Sequence, residues 1–259
     1  MVPHPPSPPL IRAVLIGVTG RMGQALLRAA PQFPQLILTG AIASPASLAL
    51  GRDAGELAGI GRANLQVTSD LPRALEQAEV ALDFSTAAAL AANLAACRAA
   101  RKPLLVGTTG FSAQLGGALD EAAEDIALLV AANTSLAVAL LTELTAYAAR
   151  ALPQFDINVI EVHHRGKRDA PSGTALLLAQ AARAARAAQA AQIDIASVRA
   201  GDIVGEHTVL LSGPGEQLVL AHRSGDRAIF AKGALTAALW LASQPPGRYG
   251  MRDLLIAKT

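Results

Sequence analysis

One polar run of the chain contains the side chains best suited to acid–base chemistry. Its sequence, EVHHRGKRDAPSGT, covers residues 161–174 and lies between an apolar run and an alanine-rich stretch. His163 and His164 can exchange protons near neutral pH, and Lys167 adds a further donor close by. The run therefore predicts a site of proton transfer whose cationic side chains favour an anionic ligand.

The end of the same run has the composition of a helix start. A proline followed by Ser172 predicts a helix that the Ser172 side chain caps. The amides of Gly173 and Thr174 then lack acceptors inside the helix, so together with the helix dipole they can bind a carboxylate. The site is thus suited to a small dianionic molecule. The alternative is a solvated basic loop with ordinary helix capping.

A metal site is a further alternative, because histidine is a common metal ligand. Adjacent histidines rarely converge on one ion, and no companion pattern such as H-E-x-x-H occurs. We therefore predict no metal. The histidines that such a site would use are His163, His164, His207 and His222.

A glycine-containing turn follows the first apolar run. The sequence GVTGRMG at residues 17–23 stands between a strand-like run and a helix-like run. Glycines in such a turn let the backbone approach a pyrophosphate, which then binds the free amides at the helix start. Thr19 and Met22 stand where the strict G-x-G-x-x-G pattern has glycines, so an ordinary strand–turn–helix connection is the alternative.

Three more apolar runs end in small polar residues. They are followed by DFST at 83–86, GTTG at 107–110 and AANTS at 131–135. Ligands of open α/β sheets bind at the carboxyl ends of the strands, so these turns are expected to converge on one groove. Together the four turns predict a dinucleotide-binding site.

The end of the second strand-like run bears on the choice between NADH and NADPH. An acidic side chain there usually binds the adenosine ribose and repels a 2′-phosphate. The sequence at 40–45 is GAIASP, which contains no carboxylate. We therefore expect NADPH to be accepted at least as well as NADH, with Arg21 near the phosphate.

These motifs are carried by short apolar runs that alternate with longer alanine-rich stretches, a pattern typical of βαβ units and a doubly wound parallel sheet of about five strands. The expected strands are Ile11–Ile16, Leu36–Ala43, Val80–Phe84, Leu104–Val106 and Ala127–Ala131. The expected helices are Met22–Ala30, Ala87–Ala100, Leu115–Ala123 and Leu136–Arg150.

After Pro153 the pattern changes to that of a smaller α+β domain. We expect a strand at Asp156–Val162, a helix from Thr174 to about Gln192, and three strands of antiparallel type. Those three strands are Ile193–Arg199, His207–Ser212 and Gln217–His222. A last helix near Leu235–Ser243 is expected to return to the first domain.

Composition excludes several classes of protein. With 259 residues, 52% apolar and a formal charge of +2, the chain is neither disordered nor fibrous, and it lacks the basic runs of a nucleic-acid-binding protein. A single cysteine, Cys97, forms no intramolecular disulfide and no cysteine zinc site, which favours a cytoplasmic setting. No apolar run approaches the ~18 to 20 residues of a membrane span. Residues 1–9, rich in proline, are expected to be a disordered tail.

Several blocks of the sequence closely resemble the dihydrodipicolinate reductase family of lysine and diaminopimelate biosynthesis. They are GVTGRMG, GTTGF, AANTS, EVHHRGKRDAPSGTA, RAGDIVGEHTV, and ALW followed by PPGRYGMRDLL, and they span nearly the whole chain from Leu10. The resemblance implies a Rossmann-like dinucleotide-binding domain over 10–132 and 235–259. It also implies a substrate-binding domain over 133–234 that builds a homotetramer, with hinges near 132–134 and Ala234.

The resemblance further implies the reaction. Hydride passes from NADPH or NADH to 4-hydroxy-tetrahydrodipicolinate, a cyclic imine dicarboxylate, and the hydroxyl leaves as water to give tetrahydrodipicolinate. His163 is the implied proton donor or acceptor and Lys167 the second donor, while His164, Gly173 and Thr174 hold the substrate carboxylates. The implied cofactor residues are Gly17, Val18, Thr19, Gly20, Arg21, Met22, Gly107, Thr108, Thr109, Ala131, Ala132, Asn133 and Thr134.

The sequence departs from the family pattern at two places. Ser44 replaces the acidic residue that many members carry after the second strand. The chain also lacks the R-x-G-x-x-G-x-R stretch before Ile195, which bears on the loop contacts of the substrate domain and on the tetramer interface. In GDIVGEH at 201–207 we expect a turn between strands, with Glu206 and His207 paired for a structural purpose. Cys97 is expected to be a small core residue, and Trp240 to pack against the protein rather than stack on a ligand.

Two other functions are compatible with these residues. One is a cofactor-binding sensor without catalysis, although the presence of both His163 and Lys167 argues against it. The other is a related dehydrogenase that acts on another imine or amino acid. The paired proton carriers and the PSGT helix start favour the dicarboxylate substrate.

Overall fold

The computed structural model describes residues 9–186 and 193–257. Most of the predicted tail lies outside these described residues, and so do residues 187–192 of the predicted alanine-rich helix. The segment that stands in place of the family's glycine- and arginine-rich stretch is described only at its end. The chain divides into two compact units. The first contains the residues up to Thr134 together with Phe230–Leu254, and the second contains Ser135–Ile229 and the residues that follow Leu254.

The first unit is built on a seven-stranded sheet in which every pair of neighbouring strands is parallel. Its strands are β1 (Ile11–Ile16), β2 (Leu36–Ile42), β3 (Val67–Thr68), β4 (Val80–Asp83), β5 (Leu104–Val106), β6 (Ala127–Val130) and β11 (Gly247–Tyr249), in the spatial order β11-β6-β5-β4-β1-β2-β3. All the predicted strands of this sheet form, with ends that differ by one residue at most. The two additional strands, β3 and β11, are too short to show a hydrophobic period.

Helices connect these strands. They are α1 (Arg21–Ala29), α2 (Ala54–Ala58), α3 (Leu71–Leu75), α4 (Ala87–Ala99), α5 (Ala113–Ala122), α8 (Ala228–Leu241) and α9 (Met251–Ile256). The apolar runs of the central strands are buried because helices cover a parallel sheet on both faces. Cys97 is fully buried in the core between α4 and the sheet, as predicted. Trp240 packs edge-on against Tyr249, with ring centroids 5.3 Å apart.

As far as its residues are described, the second unit is a four-stranded sheet with two helices. It comprises α6 (Leu136–Ala151), β7 (Asp156–His163), α7 (Gly173–Ala185), β8 (Asp194–Arg199), β9 (Gly205–Gly213) and β10 (Glu216–Ser224), in the strand order β10-β9-β7-β8. The prediction of antiparallel strands holds for β9 and β10 but is wrong for β8, which pairs parallel to β7. The cause is α7, which carries the chain back across the sheet before β8 begins.

The core of this unit lies between one face of the sheet and the two helices. Apolar side chains of α6 and α7, such as Leu141 and Leu178, pack with Val159 of β7 and Val209 of β9. Strand side chains alternate between faces, so the residues two and four positions after Val159 point toward the same covered face. Those residues belong to the polar run.

Among the described helices, none is long and apolar enough to cross a membrane.

Candidate active site

The turn after β1 requires glycine at two positions. Gly17 has a φ of +89°, and a Cβ there would lie 2.6 Å from the carbonyl oxygen of Phe84. At Gly23 in α1, a Cβ would lie only 2.2 Å from the carbonyl oxygen of Gly17. The first turn of α1 therefore packs directly on the backbone of the loop, which only glycine at both positions permits.

The start of α1 presents unpaired amides. No side chain caps this helix at Gly20, and the bond from the Gln24 amide to the Gly20 carbonyl (3.0 Å) is the first of the helical ladder. The amides of residues 21–23 consequently have no acceptor within the helix. These amides lie at the positive end of the helix dipole, next to the exposed Gly20 and Arg21, which suits the pyrophosphate of a dinucleotide cofactor.

The predicted cofactor residues follow three strands of the same sheet. The turns after β1, β5 and β6 lie at the carboxyl ends of strands in the order β6-β5-β4-β1, with the turn at 83–86 between them. The exposed members that can face a ligand include Thr19, Gly20, Arg21, Thr109 and Ala132. The strand order thus confirms that the four predicted turns share one edge of the sheet.

The side chains of some predicted cofactor residues are buried or make hydrogen bonds within the fold. Val18 is fully buried, and its amide donates to the Ile42 carbonyl at 3.1 Å. The hydroxyl of Thr134 donates to the carbonyl oxygen of Phe230 at 2.6 Å. A ligand can therefore be contacted here through the backbone rather than through these side chains.

Asp83 joins the turns after β4 and β5, a role that the sequence prediction missed. Its buried carboxylate accepts hydrogen bonds from the Ser85 amide (2.8 Å), the Asn93 side-chain amide (2.8 Å) and the Thr108 hydroxyl (3.1 Å). The only sign in the sequence is a carboxylate at the end of an apolar strand. Thr108, predicted to contact the cofactor, is buried by this contact.

In the second unit, the side chains of Glu161 and His163 on β7 point toward the helix-covered face of the sheet. Glu161 has no exposed surface, and one of its oxygens accepts a short hydrogen bond from Nδ1 of His163. Arg199 of β8 donates hydrogen bonds to both oxygens of Glu161, with Nη1 3.0 Å from Oε2 and Nη2 2.7 Å from Oε1. The Ser172 amide also donates to Oε1, at 3.3 Å. Sequence reasoning selected His163 but neither Glu161 nor Arg199.

These contacts set the charges of the cluster. Burial raises the pKa of Glu161, but hydrogen bonds from Arg199, Ser197 and His163 outweigh it and bring the pKa to about 2. Burial lowers the pKa of His163, and the neighbouring Glu161 partly offsets that effect. Glu161 is therefore ionised at neutral pH, and a neutral His163 donates its Nδ1 proton to it.

Ser172 caps α7 as predicted. Its Oγ accepts a hydrogen bond from the Ala175 amide at 3.2 Å, which leaves its own proton free to bond Nε2 of His207 at 3.1 Å. Gly173 is exposed at the first helical position. The start of α7 is thus fixed through both the side chain and the amide of Ser172.

The predicted pairing of Glu206 with His207 is wrong. Successive residues of a strand point to opposite faces, so His207 turns inward to Ser172 while Glu206 turns outward to Arg223, 3.4 Å away. Burial, followed by the positive charge of a protonated His163, lowers the pKa of His207 to about 4. A neutral His207 is part of the buried polar cluster.

Lys167 and His164 lie in the loop between β7 and α7. The ammonium of Lys167 is 2.8 Å from Asp169, and its hydrogen bond lowers the pKa of that carboxyl group. Nε2 of His164 is 3.2 Å from a guanidinium nitrogen of Arg227. The charge of Lys167 also acts on His163, which places the two groups near each other, and Arg227 is a contact of His164 that the sequence did not predict.

The histidines do not form a metal site within the part of the chain that the structure describes, where no three His, Cys, Asp or Glu side chains are placed to share an ion.

Two family models cover almost the whole chain. The model of the dihydrodipicolinate reductase N-terminus matches residues 11–134, and the model of its C-terminus matches residues 137–255. The chain belongs to the dihydrodipicolinate reductase family. The resemblance inferred from the sequence motifs is thereby confirmed.

Individual relatives agree with this assignment to the dihydrodipicolinate reductases. The 4-hydroxy-tetrahydrodipicolinate reductase of Alkalilimnicola ehrlichii is 44% identical over 262 residues, which span 94% of this chain and 98% of the relative. That of Halorhodospira halophila is 41% identical over 259 residues, spanning 93% of this chain and 97% of the relative.

Solved structures share the fold. A dipicolinate-bound dihydrodipicolinate reductase from Paenisporosarcina sp. TG-14 has a TM-score of 0.78 at 23% identity, covering 93% of this chain and 97% of its own. GenD2 of gentamicin A biosynthesis, solved with NAD, has a TM-score of 0.59 at 16% identity, covering 98% and 93%. The predicted fold class, a Rossmann-like domain with a smaller α+β domain, is confirmed.

Proposed function

We propose that this chain reduces 4-hydroxy-tetrahydrodipicolinate to tetrahydrodipicolinate, with loss of water, in lysine and diaminopimelate biosynthesis. The observation that carries the proposal is the cluster at the end of β7, where an ionised Glu161 holds His163 next to a capped helix start. Such a cluster offers proton transfer beside an anion site, as this reaction requires. Family membership supports the same conclusion.

The chain is an NAD(P)H-dependent oxidoreductase, and the first unit fits that cofactor. Residues 17–22 would hold the pyrophosphate through backbone amides, since glycine at 17 and 23 lets the loop and helix pack together. Residues 107–109 and 131–134 would line the nicotinamide side. When bound, the nicotinamide supplies the hydride.

The substrate's two carboxylates are assigned to the second unit. Gly173 and Thr174 at the start of α7 and the side chain of His164 would hold them, with the helix dipole adding to the attraction. Lys167 lies in the same loop and brings a positive charge. These donors would fix the orientation of the dianion before reduction begins.

Proton handling is assigned to His163 and Lys167. His163 is neutral at physiological pH because burial lowers its pKa, so it can take up a proton at Nε2 and return it there. The ammonium of Lys167 is a second donor, held 2.8 Å from Asp169. One of the two can protonate the substrate as hydride arrives, and the other can assist departure of the hydroxyl as water.

We also propose a homotetramer assembled through the sheet of the second unit. Ile160, Val198 and Val219 are exposed apolar side chains on the face of that sheet opposite the helices. An apolar sheet face of this kind favours contact with another copy of the chain. We place the enzyme in the cytoplasm, without nucleic-acid or membrane partners, which agrees with its single buried cysteine.

The decisive experiment follows oxidation of NADPH and of NADH with enzymatically generated 4-hydroxy-tetrahydrodipicolinate. Wild type should turn over, His163→Ala and Lys167→Ala should lose most of kcat, and pyridine-2,6-dicarboxylate should compete with the substrate. Absence of turnover by wild type would show that the chain is a cofactor-binding protein or a dehydrogenase for another imine. Full activity in both variants would refute the assigned proton roles.

A further inference from the structure

Glu161 is a buried carboxylate with contacts to two separate parts of the substrate unit. Through one oxygen it accepts the Nδ1 proton of His163, and through the other it accepts the amide of Ser172. The first contact reaches the proton-handling imidazole and the second reaches the start of the anion-binding helix. A single side chain thus links the two functions that the site combines.

Arg199 keeps this carboxylate charged and in place. Its two Nη atoms bind both oxygens of Glu161, and Nη2 also donates to the backbone carbonyl of Asp169. The paired hydrogen bonds fix the carboxylate in direction as well as position. Because Asp169 follows Lys167 in the same loop, Arg199 also ties that loop to β8.

The pair is hard to explain by stability alone. Glu161 is fully buried, and a buried ion pair stabilises a fold no better than well-packed apolar side chains in many proteins. Neighbouring positions on the same face of the sheet, Val159 and Val209, are apolar and fully buried. A charged pair at the end of this apolar core indicates a role in the site.

We propose, building on the reductase function above, that Glu161 and Arg199 form a positioning pair that fixes the Nδ1–H tautomer of His163 and the first turn of α7. In this arrangement Nε2 of His163 is the nitrogen that exchanges a proton with the substrate. Glu161 touches neither substrate nor cofactor and stays ionised throughout. The proton that His163 takes up binds at Nε2 and leaves from Nε2.

The arrangement has a defined effect on acidity. The groups that face the His163 ring are Glu161 on β7, Arg199 on β8, His207 on β9 and Lys167 in the loop. Among these, the carboxylate favours the protonated imidazole, whereas Arg199 and Lys167 oppose it. Removal of the Glu161 charge is therefore expected to lower the pKa of His163 further.

The test replaces Glu161 with the isosteric glutamine. Because Glu161→Gln leaves the Arg199 charge buried and unpaired, the double variant Glu161→Gln/Arg199→Met is made alongside it. Glu216→Gln, at the exposed start of β10, is the matched control for loss of one negative charge. Folded fraction is measured by calorimetry, and kinetic constants are corrected for it.

We expect three changes in the Glu161 variants. The kcat falls about tenfold or more because the tautomer is no longer fixed, and the KM for the dicarboxylate rises severalfold because the helix start loses an anchor. The acid limb of the profile of kcat/KM against pH moves to lower pH. Glu216→Gln shows none of these changes.

Imidazole ¹H–¹⁵N spectra of the protein without substrate provide a readout that does not depend on turnover. The His163 signals, assigned by their loss in His163→Ala, should show a proton on Nδ1 in wild type and a mixture of tautomers in the double variant. A wild-type His163 that carries its proton on Nε2 would overturn the proposal, as would variants with unchanged kcat and pH profile.

The spectra also separate this proposal from the proposed function. If wild type fails to reduce the substrate but keeps the Nδ1 proton that the double variant loses, the function is wrong and the positioning of His163 stands. If wild type is active and the tautomer is the same in all variants, the positioning is wrong and the function stands.

Discussion

The imidazole of His207 lies edge-on to that of His163, with ring centroids 5.1 Å apart and the ring planes at 75°. The two histidines come from adjacent antiparallel strands, β9 and β7, and both face the helix-covered side of the sheet. Nε2 of His207 bonds the Ser172 hydroxyl, whereas Nδ1 finds no hydrogen-bond partner among the described residues. Because Nε2 accepts the Ser172 proton, a neutral His207 carries its own proton on Nδ1. A second proton would bind at Nε2, where it would displace the proton of the Ser172 hydroxyl and lie near His163.

This arrangement predicts that stability falls as the solution becomes mildly acidic. Burial lowers the pKa of His207 from 6.5 to about 4 in the folded chain. Below pH 6.5 His207 is therefore protonated in the unfolded chain while it stays neutral in the folded chain. His207 alone should remove about 2 kcal/mol from the free energy of unfolding between pH 7 and pH 5, and little above pH 7. Urea unfolding at a fixed protein concentration measures this slope, which should be shallower in His207→Gln.

A matched control keeps this test specific to titration. Val209→Ala removes buried apolar surface two residues along the same strand and the same face, so it should destabilise the fold without changing the slope with pH. If His207→Gln retains the wild-type slope, His207 is not the group that titrates. The lowered pKa values of His163 and His222 act in the same direction and account for the slope that remains.

A second prediction concerns the space beside His163. A Cβ at Gly205 would lie 3.0 Å from Nε2 of His163, which is the nitrogen assigned to proton exchange. Gly205→Ala should crowd this atom and lower kcat about tenfold, because small displacements of a proton-transferring group reduce catalysis strongly. The backbone of Gly205 has no positive φ, so the fold should persist.

The control for Gly205→Ala is Gly225→Ala, where an added Cβ meets no atom within 4 Å. Steady-state kinetics and melting temperatures of both variants make the comparison. A wild-type kcat in Gly205→Ala would place the reacting nitrogen of His163 elsewhere and would count against Nε2.

The strands and helices that form from a local sequence pattern could be predicted, whereas features that depend on pairing between distant strands could not. The central strands and most helices follow from apolar runs, turns and caps that lie within one stretch of sequence. The direction of β8 depends on how α7 crosses the sheet, and β3 and β11 form only because neighbouring strands supply partners. The hydrophobic periodicity of the sequence does not indicate which strands pair or in which direction.

The site divides in the same way. His163, Lys167 and the Ser172 cap stand in one run, so residue type and spacing selected them as candidates. Glu161 seemed an ordinary polar residue of an alternating strand, because its partner Arg199 is 38 residues further along the chain. Arg199 reaches Glu161 through the parallel pairing of β7 with β8, which the sequence did not indicate.

A third prediction tests the turn after β1. Alanine at Gly17 must adopt a φ of +89° and place its Cβ 2.6 Å from a backbone oxygen, so the loop has to move. Gly17→Ala should weaken NADPH binding at least tenfold by calorimetric titration and reduce stability by about 1–3 kcal/mol.

Gly117→Ala in α5 is the control, because an added Cβ there meets no atom within 4 Å and alanine favours a helix. It should leave the Kd for NADPH unchanged. Equal binding of NADPH by Gly17→Ala and wild type would show that the pyrophosphate does not lie on this turn.

The last prediction concerns the choice of cofactor at the end of β2. Ser44 is exposed there and its Oγ accepts a hydrogen bond from the Ala46 amide (3.3 Å), so no carboxylate stands where it would repel a 2′-phosphate. Arg21, exposed at the start of α1, is the one cationic side chain among the predicted cofactor residues. We expect kcat/KM with NADPH to equal or exceed that with NADH.

Ser44→Asp should shift this ratio at least tenfold toward NADH, because a carboxylate repels the phosphate and can bind the ribose hydroxyls. Gln114→Glu, exposed at the start of α5, adds the same charge away from this strand end and should leave the ratio unchanged. Measurements at two salt concentrations separate local repulsion from the overall change in charge, since screening weakens only the long-range part. A hundredfold preference of wild type for NADH would refute the assignment.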